Sequence, residues 1–345
     1  MSQLDPDRFL DFQGPGAQEW WYFDAISDDG RDAVVVVWYA GLPFDPDYGV
    51  ATLRHLKNPT AHPAPTALDH CAIGFSWYHD GKTAAYALNG FRSGDFTHAP
   101  EPFVVAIAGN RLDRDGRDYC LTVATPAVDG KHRIAAELRF RPAPASESLE
   151  QDLGNPGSPH LWILAAADCR AEGRIRIAGP RPLDLEFLGR GYHDHNAGAE
   201  ELSVAMTRWH WGRVHDGSST EIYYRAEPRS GAPRNLWITC HDGRPVAVRN
   251  EVTIAESELR RNVFGVRDPG ILTATAGRSV LIRRNLRCLD DGPFYRRSLA
   301  KFDSEGRTSV GISELLDTRN LHRRLFNWMI PYRLKRPGPG GHVAP

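Results

Sequence analysis

The run Tyr192-His193-Asp194-His195-Asn196 places a carboxyl group between a phenol and an amide, with an imidazole on either side in sequence. In an extended chain, side chains alternate between faces, so Tyr192, Asp194 and Asn196 share one face and His193 and His195 the other. A carboxyl group on a face rich in aromatic residues is a general-acid setting, because desolvation favours its neutral form and raises its pKa. The same string also fits a polar strand end whose side chains only satisfy backbone groups. His-x-His is a known ligand spacing as well, but a metal needs a third ligand, and none stands at a recognisable distance, so no metal is expected. Two further stretches put chemistry on one strand face: His160-Leu161-Trp162 pairs an imidazole with an indole by the i, i+2 rule, and Glu19-Trp20-Trp21-Tyr22-Phe23 sets aromatics beside a carboxylate. Aromatic faces stabilise cations, and they are equally ordinary β-protein core. Arg208-Trp209-His210-Trp211-Gly212 admits the same two readings.

The elements that must hold these residues are strands. Leu183–Asn196 reads as a strand with a kink at Gly189-Arg190-Gly191. Turn signals punctuate the chain at 28–30, 80–81, 115–116, 129–130, 172–173, 216–217 and 242–243, each with Asp-Gly or Glu-Gly between apolar or alternating runs. That is a repeated hairpin signature. The flanks, among them Trp20–Ile26, Ala33–Tyr39, Cys71–Tyr78, Arg133–Phe140, Leu161–Ala167, Thr220–Tyr224 and Leu236–Cys240, carry the residues that suit pleated surfaces. The best helical pattern is Glu314–Asn327, a short C-terminal helix. The expectation is an all-β protein of antiparallel sandwiches or barrels. Segments 142–148 and 154–159 read as a domain linker or a long loop, and no internal sequence repeat is evident.

The 345 residues require one very large β domain or two domains. Apolar content of 41% and charged content of 25% are those of a soluble globular protein, and a net charge of −1 argues against nucleic acid as a partner of the whole chain. Five scattered cysteines without a Cys-x-x-Cys pair form neither a disulfide framework nor a thiolate zinc site. The N-terminus lacks the basic and apolar regions of a secretory signal, so a cytoplasmic location is expected. Residues 319–336 hold six Arg or Lys among Leu321, Leu325, Phe326, Trp328, Met329 and Ile330. This segment either docks on a membrane surface, at the inner face, or packs its apolar residues on the protein.

Glu-Trp-Trp-Tyr-Phe (19–23), His-Leu-Trp (160–162), Gly-Arg-Gly-Tyr-His-Asp-His-Asn (189–196), Trp-His-Trp-Gly (209–212) and Gly-Pro-Phe-Tyr-Arg-Arg (292–297) together resemble the carotenoid 1,2-hydratases, or hydroxyneurosporene synthases, and their wider lipocalin-like relatives. The resemblance implies two consecutive lipocalin-like β domains, 1–198 with the acid motif at its end and 199–345 with the basic C-terminal segment. It implies addition of water to a terminal trisubstituted double bond of an acyclic carotenoid or related isoprenoid, without a cofactor. The catalytic group it implies is Asp194 as acid with Tyr192, His160 and Trp162. Asp194 would protonate the alkene, Trp162 with Trp20 or Trp21 would stabilise the tertiary cation, and Tyr192 or His160 would orient the water. The expected pocket walls are Glu19, Trp20, Trp21, Tyr22, His193, His195, Asn196, Trp209, Trp211 and Tyr295. One departure stands out: the family pattern continues His-Asn-Trp-Gly, whereas this chain has Ala197, which would widen the pocket or change the substrate. The wider relatives include enzymes that guide pericyclic ring closures of polyenes, and barrel cavities also serve as lipid carriers, so a pericyclase, terpenoid cyclase or isomerase acting on a polyene, and a non-catalytic lipid carrier, are the alternatives.

Overall fold

The computed structural model describes residues 5–327, 329–330 and 333–336. Two antiparallel sheets follow one another in the chain. Edge to edge, the first runs Lys82–Gly90, Ala72–His79, Asp32–Ala40, Gln18–Ser27, Leu183–Gly198, His160–Ala178, Arg133–Pro142, Asp118–Pro126, Asn110–Asp115, Phe103–Ile107 and Phe96–Pro100, with Leu149–Asp152 also beside His160–Ala178. The second runs Arg244–Arg249, Arg234–His241, Ser219–Pro228, Met206–Asp216, Arg307–Asp317, Tyr295–Ser304, Ser279–Asp291, Arg267–Ala276 and Thr253–Arg261. The connectivity is the same in both. Four strands meander outward, the chain crosses to the far edge, and it meanders back until the last strand pairs with the first. Both sheets curl in the manner of lipocalin-like half-barrels.

Strand alternation sorts the apolar residues into three cores. Trp21, Phe23 and Ala25 point into the curl of the first sheet, with Phe75, Leu121 and Phe140. Trp20 and Tyr22, one residue out of phase, point the other way and join Trp162, Leu164 and Tyr192 against Trp209, Trp211, Ile222 and Tyr224 of the second sheet. A smaller core fills the second sheet around Tyr223, Trp237 and Phe302. A central strand buried on both faces has no solvent side to leave polar, which is why Trp20–Phe23 reads as an unbroken aromatic run.

Most hairpin turns fall where the Asp-Gly pairs stand, and Gly30, Gly81, Gly116, Gly130, Gly217 and Gly243 all take the positive φ those turns need. Glu172-Gly173 is a correction. It lies inside the long strand His160–Ala178, where a Cβ on Gly173 would collide with the Glu137 carbonyl. The helix expected over Glu314–Asn327 is also corrected. Residues through Asp317 belong to the strand Arg307–Asp317, a 3₁₀ turn covers Thr318–Asn320, and only Arg324–Asn327 is helical. A short apolar run fits strand and helix alike, and pairing with Met206–Asp216 decides for strand. A helix not anticipated spans Pro46–Lys57; Asp45 caps it by accepting from the Asp47 amide, and Pro46 opens it. Segments 142–148 and 154–159 flank the strand Leu149–Asp152 within the first sheet, so they are loops of that sheet and not a linker.

The C-terminal segment returns to the first sheet. Gly90 donates to the Lys335 carbonyl at 2.8 Å and Lys335 to the Leu88 carbonyl at 2.9 Å, which covers an edge strand. Leu321, Ile330 and Leu334 are buried. Arg333 pairs with Asp290 at 3.0 Å, and Arg336 pairs with Asp45 and Asp47. The packing alternative therefore accounts for most of this segment; Trp328 lies outside the described residues. No helix among the described residues is long and apolar enough to cross a membrane.

Candidate active site

The strand Leu183–Gly198 runs straight through the motif. Tyr22 and Leu164 stand opposite Asp194, and Trp20 and Trp162 opposite Asn196. The irregularities lie on the neighbouring strand, between Leu164 and Cys169, so Gly191 does not reverse the faces. The two glycines serve close approach instead: a Cβ on Gly189 would strike the Ile26 carbonyl, and one on Gly191 the ring of Phe140.

Asp194 is buried between the two sheets. Its Oδ2 accepts from the Trp162 indole N–H at 2.9 Å and from the Tyr192 hydroxyl at 2.8 Å, and its Oδ1 accepts from the Asn196 amide at 2.9 Å. A carboxyl group offers about four lone-pair sites. Three are filled by neutral donors, which leaves one for an acid proton. Burial pushes the group up to about 7; the Trp162 and Tyr192 hydrogen bonds pull it down, and the charges of Glu314 and Asp24 push it further up.

Asp194 opens on a chamber of about 30 Å³ that it shares with Trp20, Tyr22, Asn196, Trp209, Trp211, Tyr224 and Glu314. Trp20, Tyr22, Trp209 and Glu314 also border a much larger cavity of about 520 Å³. That cavity is mainly apolar, with Val35, Val37, Phe44, Leu88, Phe264, Phe294, Tyr295, Met329 and Ile330 in its walls. Trp20 stacks on Trp209 at 6.0 Å, and Tyr22 meets the edge of Trp211 at 5.7 Å. The two cavities thus share Trp20, Tyr22, Trp209 and Glu314 as a common wall.

The other expected site residues divide sharply. Tyr192 and Trp162 touch Asp194 but spend their donors on it and form no part of the chamber wall; Trp20, Trp209 and Trp211 hold the positions foreseen for Trp162. His160 packs against Trp20 at 5.7 Å and Trp209 at 6.3 Å, away from Asp194. Its ring nitrogens are buried without hydrogen-bond partners, and burial pushes it down to about 4. Glu19, Trp21, His193 and His195 line neither of these two cavities. They face the interior of the first sheet, as strand alternation requires. His193 Nε2 meets Asp7 at 2.7 Å and its Nδ1 the Tyr22 carbonyl; His195 Nε2 meets Glu19 at 2.7 Å and its Nδ1 the Pro6 carbonyl. A carbonyl only accepts, so each Nδ1 carries a proton and each ring is fully engaged. Among the described residues, no three His, Cys, Asp or Glu gather as a metal site. Ala197 shares the face of His193 and His195, opposite Glu19 and Leu161, so the methyl group does not widen the chamber.

Sequence reasoning missed Glu314, Arg297, Asp290 and Tyr78, a buried polar cluster beside the cavity. Glu314 Oε1 accepts from Tyr22 and from Arg297, both at 2.8 Å, and Arg297 also pairs with Asp290 at 3.3 Å and donates to the Tyr78 hydroxyl at 2.7 Å. The alternation Ile312, Glu314, Leu316 could have placed Glu314 on an inward face, had the run been read as a strand.

Two packed lipocalin-like sheets thus enclose a buried carboxyl group beside an aromatic-walled apolar cavity. The chain belongs to the carotenoid hydratase CrtC family, whose model matches residues 57–339, and it is a hydro-lyase of that family. It is similar to a hydroxyneurosporene dehydrogenase of Chlorobaculum tepidum, 30% identical over 94% of this chain and 88% of the relative. It is also similar to an acyclic carotenoid 1,2-hydratase of Thiocapsa roseopersicina, 28% identical over 94% of this chain and 74% of the relative. Among solved structures, an AttH protein of Nitrosomonas europaea shares the fold, with a TM-score of 0.63 and 13% identity over 91% of this chain and 98% of its own.

Proposed function

We propose that this enzyme adds water to the terminal trisubstituted double bond of an acyclic carotenoid or related isoprenoid, without a cofactor, with Asp194 as general acid. The observation that carries the reading is the Asp194 carboxyl group, buried, held by three neutral donors and open at one position toward the chamber. Its proton passes to the less substituted alkene carbon and leaves a tertiary cation. The faces of Trp20, Trp209 and Trp211 are then the nearest stabilising groups, since indole rings attract cations most strongly when water is excluded. Trp162 and Tyr192 position the acid. Water completes the tertiary alcohol.

Incubation of the wild-type enzyme and Asp194→Asn with an acyclic carotenoid in oxygen-18 water tests the assignment. The wild type should yield a product with one solvent oxygen, and the variant should lose turnover. Ring closure gives a product without solvent oxygen, and a carrier gives none; either result, or an active variant, overturns the reading.

The same proposal has the enzyme collecting its substrate at the cytoplasmic face of a membrane. Leu325, 70% exposed, and Val263, 92% exposed, adjoin Phe326 and Phe264, whose rings meet at 5.9 Å beside the cavity. Leu325→Glu with Val263→Glu should reduce flotation with anionic liposomes, and equal flotation ends this part of the proposal.

A further inference from the structure

The chamber beside Asp194 has the size and chemistry of a water site. Its volume of about 30 Å³ exceeds the roughly 10–15 Å³ that a cavity needs to hold one water molecule. A trapped water needs two to four polar partners, and Asp194, Asn196, Glu314 and Trp211 stand in the wall. The buried Trp211 indole N–H makes no well-formed hydrogen bond and interacts only loosely with the Tyr192 hydroxyl. The two carboxyl groups arrive from different sheets and have opposite company. Asp194 is held by neutral donors alone. Glu314 is held in an ion pair by Arg297 and accepts from Tyr22. A pair of carboxyl groups in unlike surroundings is the usual arrangement for dividing acid and base roles.

We propose that the chamber holds the attacking water and that Glu314 is the catalytic base that takes its proton. This rests on the reading of Asp194 as acid. The Asp194 O–H bond breaks as a C–H bond forms at the less substituted carbon. The water oxygen bonds to the tertiary cation, and one water proton passes to the Glu314 carboxylate. The next water to enter relays that proton from Glu314 to Asp194, which restores both groups with no net gain or loss of electrons. Other bases fit less well. The Tyr192 hydroxyl is committed to Asp194, and burial raises its pKa well above the usual phenol value. His160 lies outside the chamber wall.

The test compares the wild type, Glu314→Gln and Glu314→Ala on an acyclic carotenoid in oxygen-18 water. Substrate binding is followed separately by quenching of tryptophan fluorescence. Both variants should lose about 10²- to 10⁴-fold in kcat, the range of general acid–base catalysis, while affinity stays within about threefold. Added formate should restore Glu314→Ala, because it supplies a carboxylate to the vacated position. Glu314→Leu with Arg297→Met replaces the Glu314–Arg297 pair by apolar residues of similar size, a change buried pairs often tolerate; Asp290 keeps Arg333 as its partner, and the variant should fold and remain inactive. Turnover within about threefold of wild type, in Glu314→Gln or in the folded double variant, overturns the base role. A wild type that places no solvent oxygen in its product instead defeats the hydratase reading beneath it.

Discussion

The strand Leu183–Gly198 carries carboxyl chemistry on both faces, and the two faces solve the problem of a buried acid in opposite ways. On the face toward the second sheet, Asp194 has indole, phenol and amide donors within 3 Å. On the face toward the first sheet's interior, Asp7 and Glu19 meet the imidazoles of His193 and His195. Burial penalises every one of these carboxylates. For Asp7 burial raises the pKa, but His193, His195 and Arg114 outweigh it and hold the group below its ordinary value. Where only neutral donors answer, desolvation wins, and Asp194 sits at about 7. At Asp194 burial outweighs its donors, whereas at Asp7 the neighbouring imidazoles and Arg114 outweigh burial.

The largest effect should come from removing the proposed acid. Asp194→Asn should cut kcat by about 10²- to 10⁴-fold, measured as labelled alcohol formed. It should also change stability in a way that sets the faces apart. The unfolded Asp194 ionises near 3.8 and the folded one near 7. The native state therefore holds the extra proton between these values, and stability falls by up to about 4 kcal/mol as pH rises through that window. Denaturant melts of Asp194→Asn at pH 4 and pH 8 should show a smaller loss than the wild type. An equal loss would mean that Asp194 is ionised throughout.

The opposite face should respond in stability and not in chemistry. His193→Phe leaves Asp7 buried without its imidazole, and breaking a buried pair typically costs about 3–5 kcal/mol. The folded fraction should keep the wild-type kcat, because His193 does not border either cavity. His195 adds a pH signature of its own. Burial lowers its pKa, but Glu19 and Asp7 outweigh that and raise it. Its contribution is thus complete below the unfolded value near 6.5 and disappears as pH rises through the higher folded value. His195→Phe should remove that alkaline step and leave the Asp194 step between pH 4 and 7 in place. A fall in kcat without a fall in stability, in either histidine variant, would erase the distinction between the faces.

Much of this was legible in the residues. Alternation alone put Tyr192, Asp194 and Asn196 together and His193 and His195 apart, and the Asp-Gly pairs marked most of the hairpins. What stayed hidden was whatever depends on a second sheet. Nothing local tells Trp20, which faces the chamber, from Trp21, which faces the core. Glu314 comes from a strand that reads equally well as helix, and it acquires its site only when the second sheet packs on the first. The shared connectivity of the sheets has no counterpart in sequence, because topology constrains only where apolar residues alternate, not which ones they are. Ala197 shows the reverse error. Its neighbourhood in sequence suggested the pocket, but one residue along a strand is the other face.

The smallest change should sharpen the comparison most. Trp162→Phe keeps an aromatic ring in the core and removes one neutral donor from Asp194. A hydrogen bond to the carboxylate favours its charged form, so its loss should raise the pKa of Asp194 further. The net worth of such a bond, about 0.5–1.5 kcal/mol, corresponds to a shift of up to about one unit. As the proposed general acid, Asp194 must be protonated to act, so the wild-type rate should fall as pH rises through about 7. In Trp162→Phe that fall should move to higher pH, while the rate on the acidic plateau drops by no more than about tenfold through looser positioning of the carboxyl group. A descending limb that stays in place, or moves to lower pH, would show that the neutral donors do not set the pKa of the acid. The contrast between the two faces would then need a different cause.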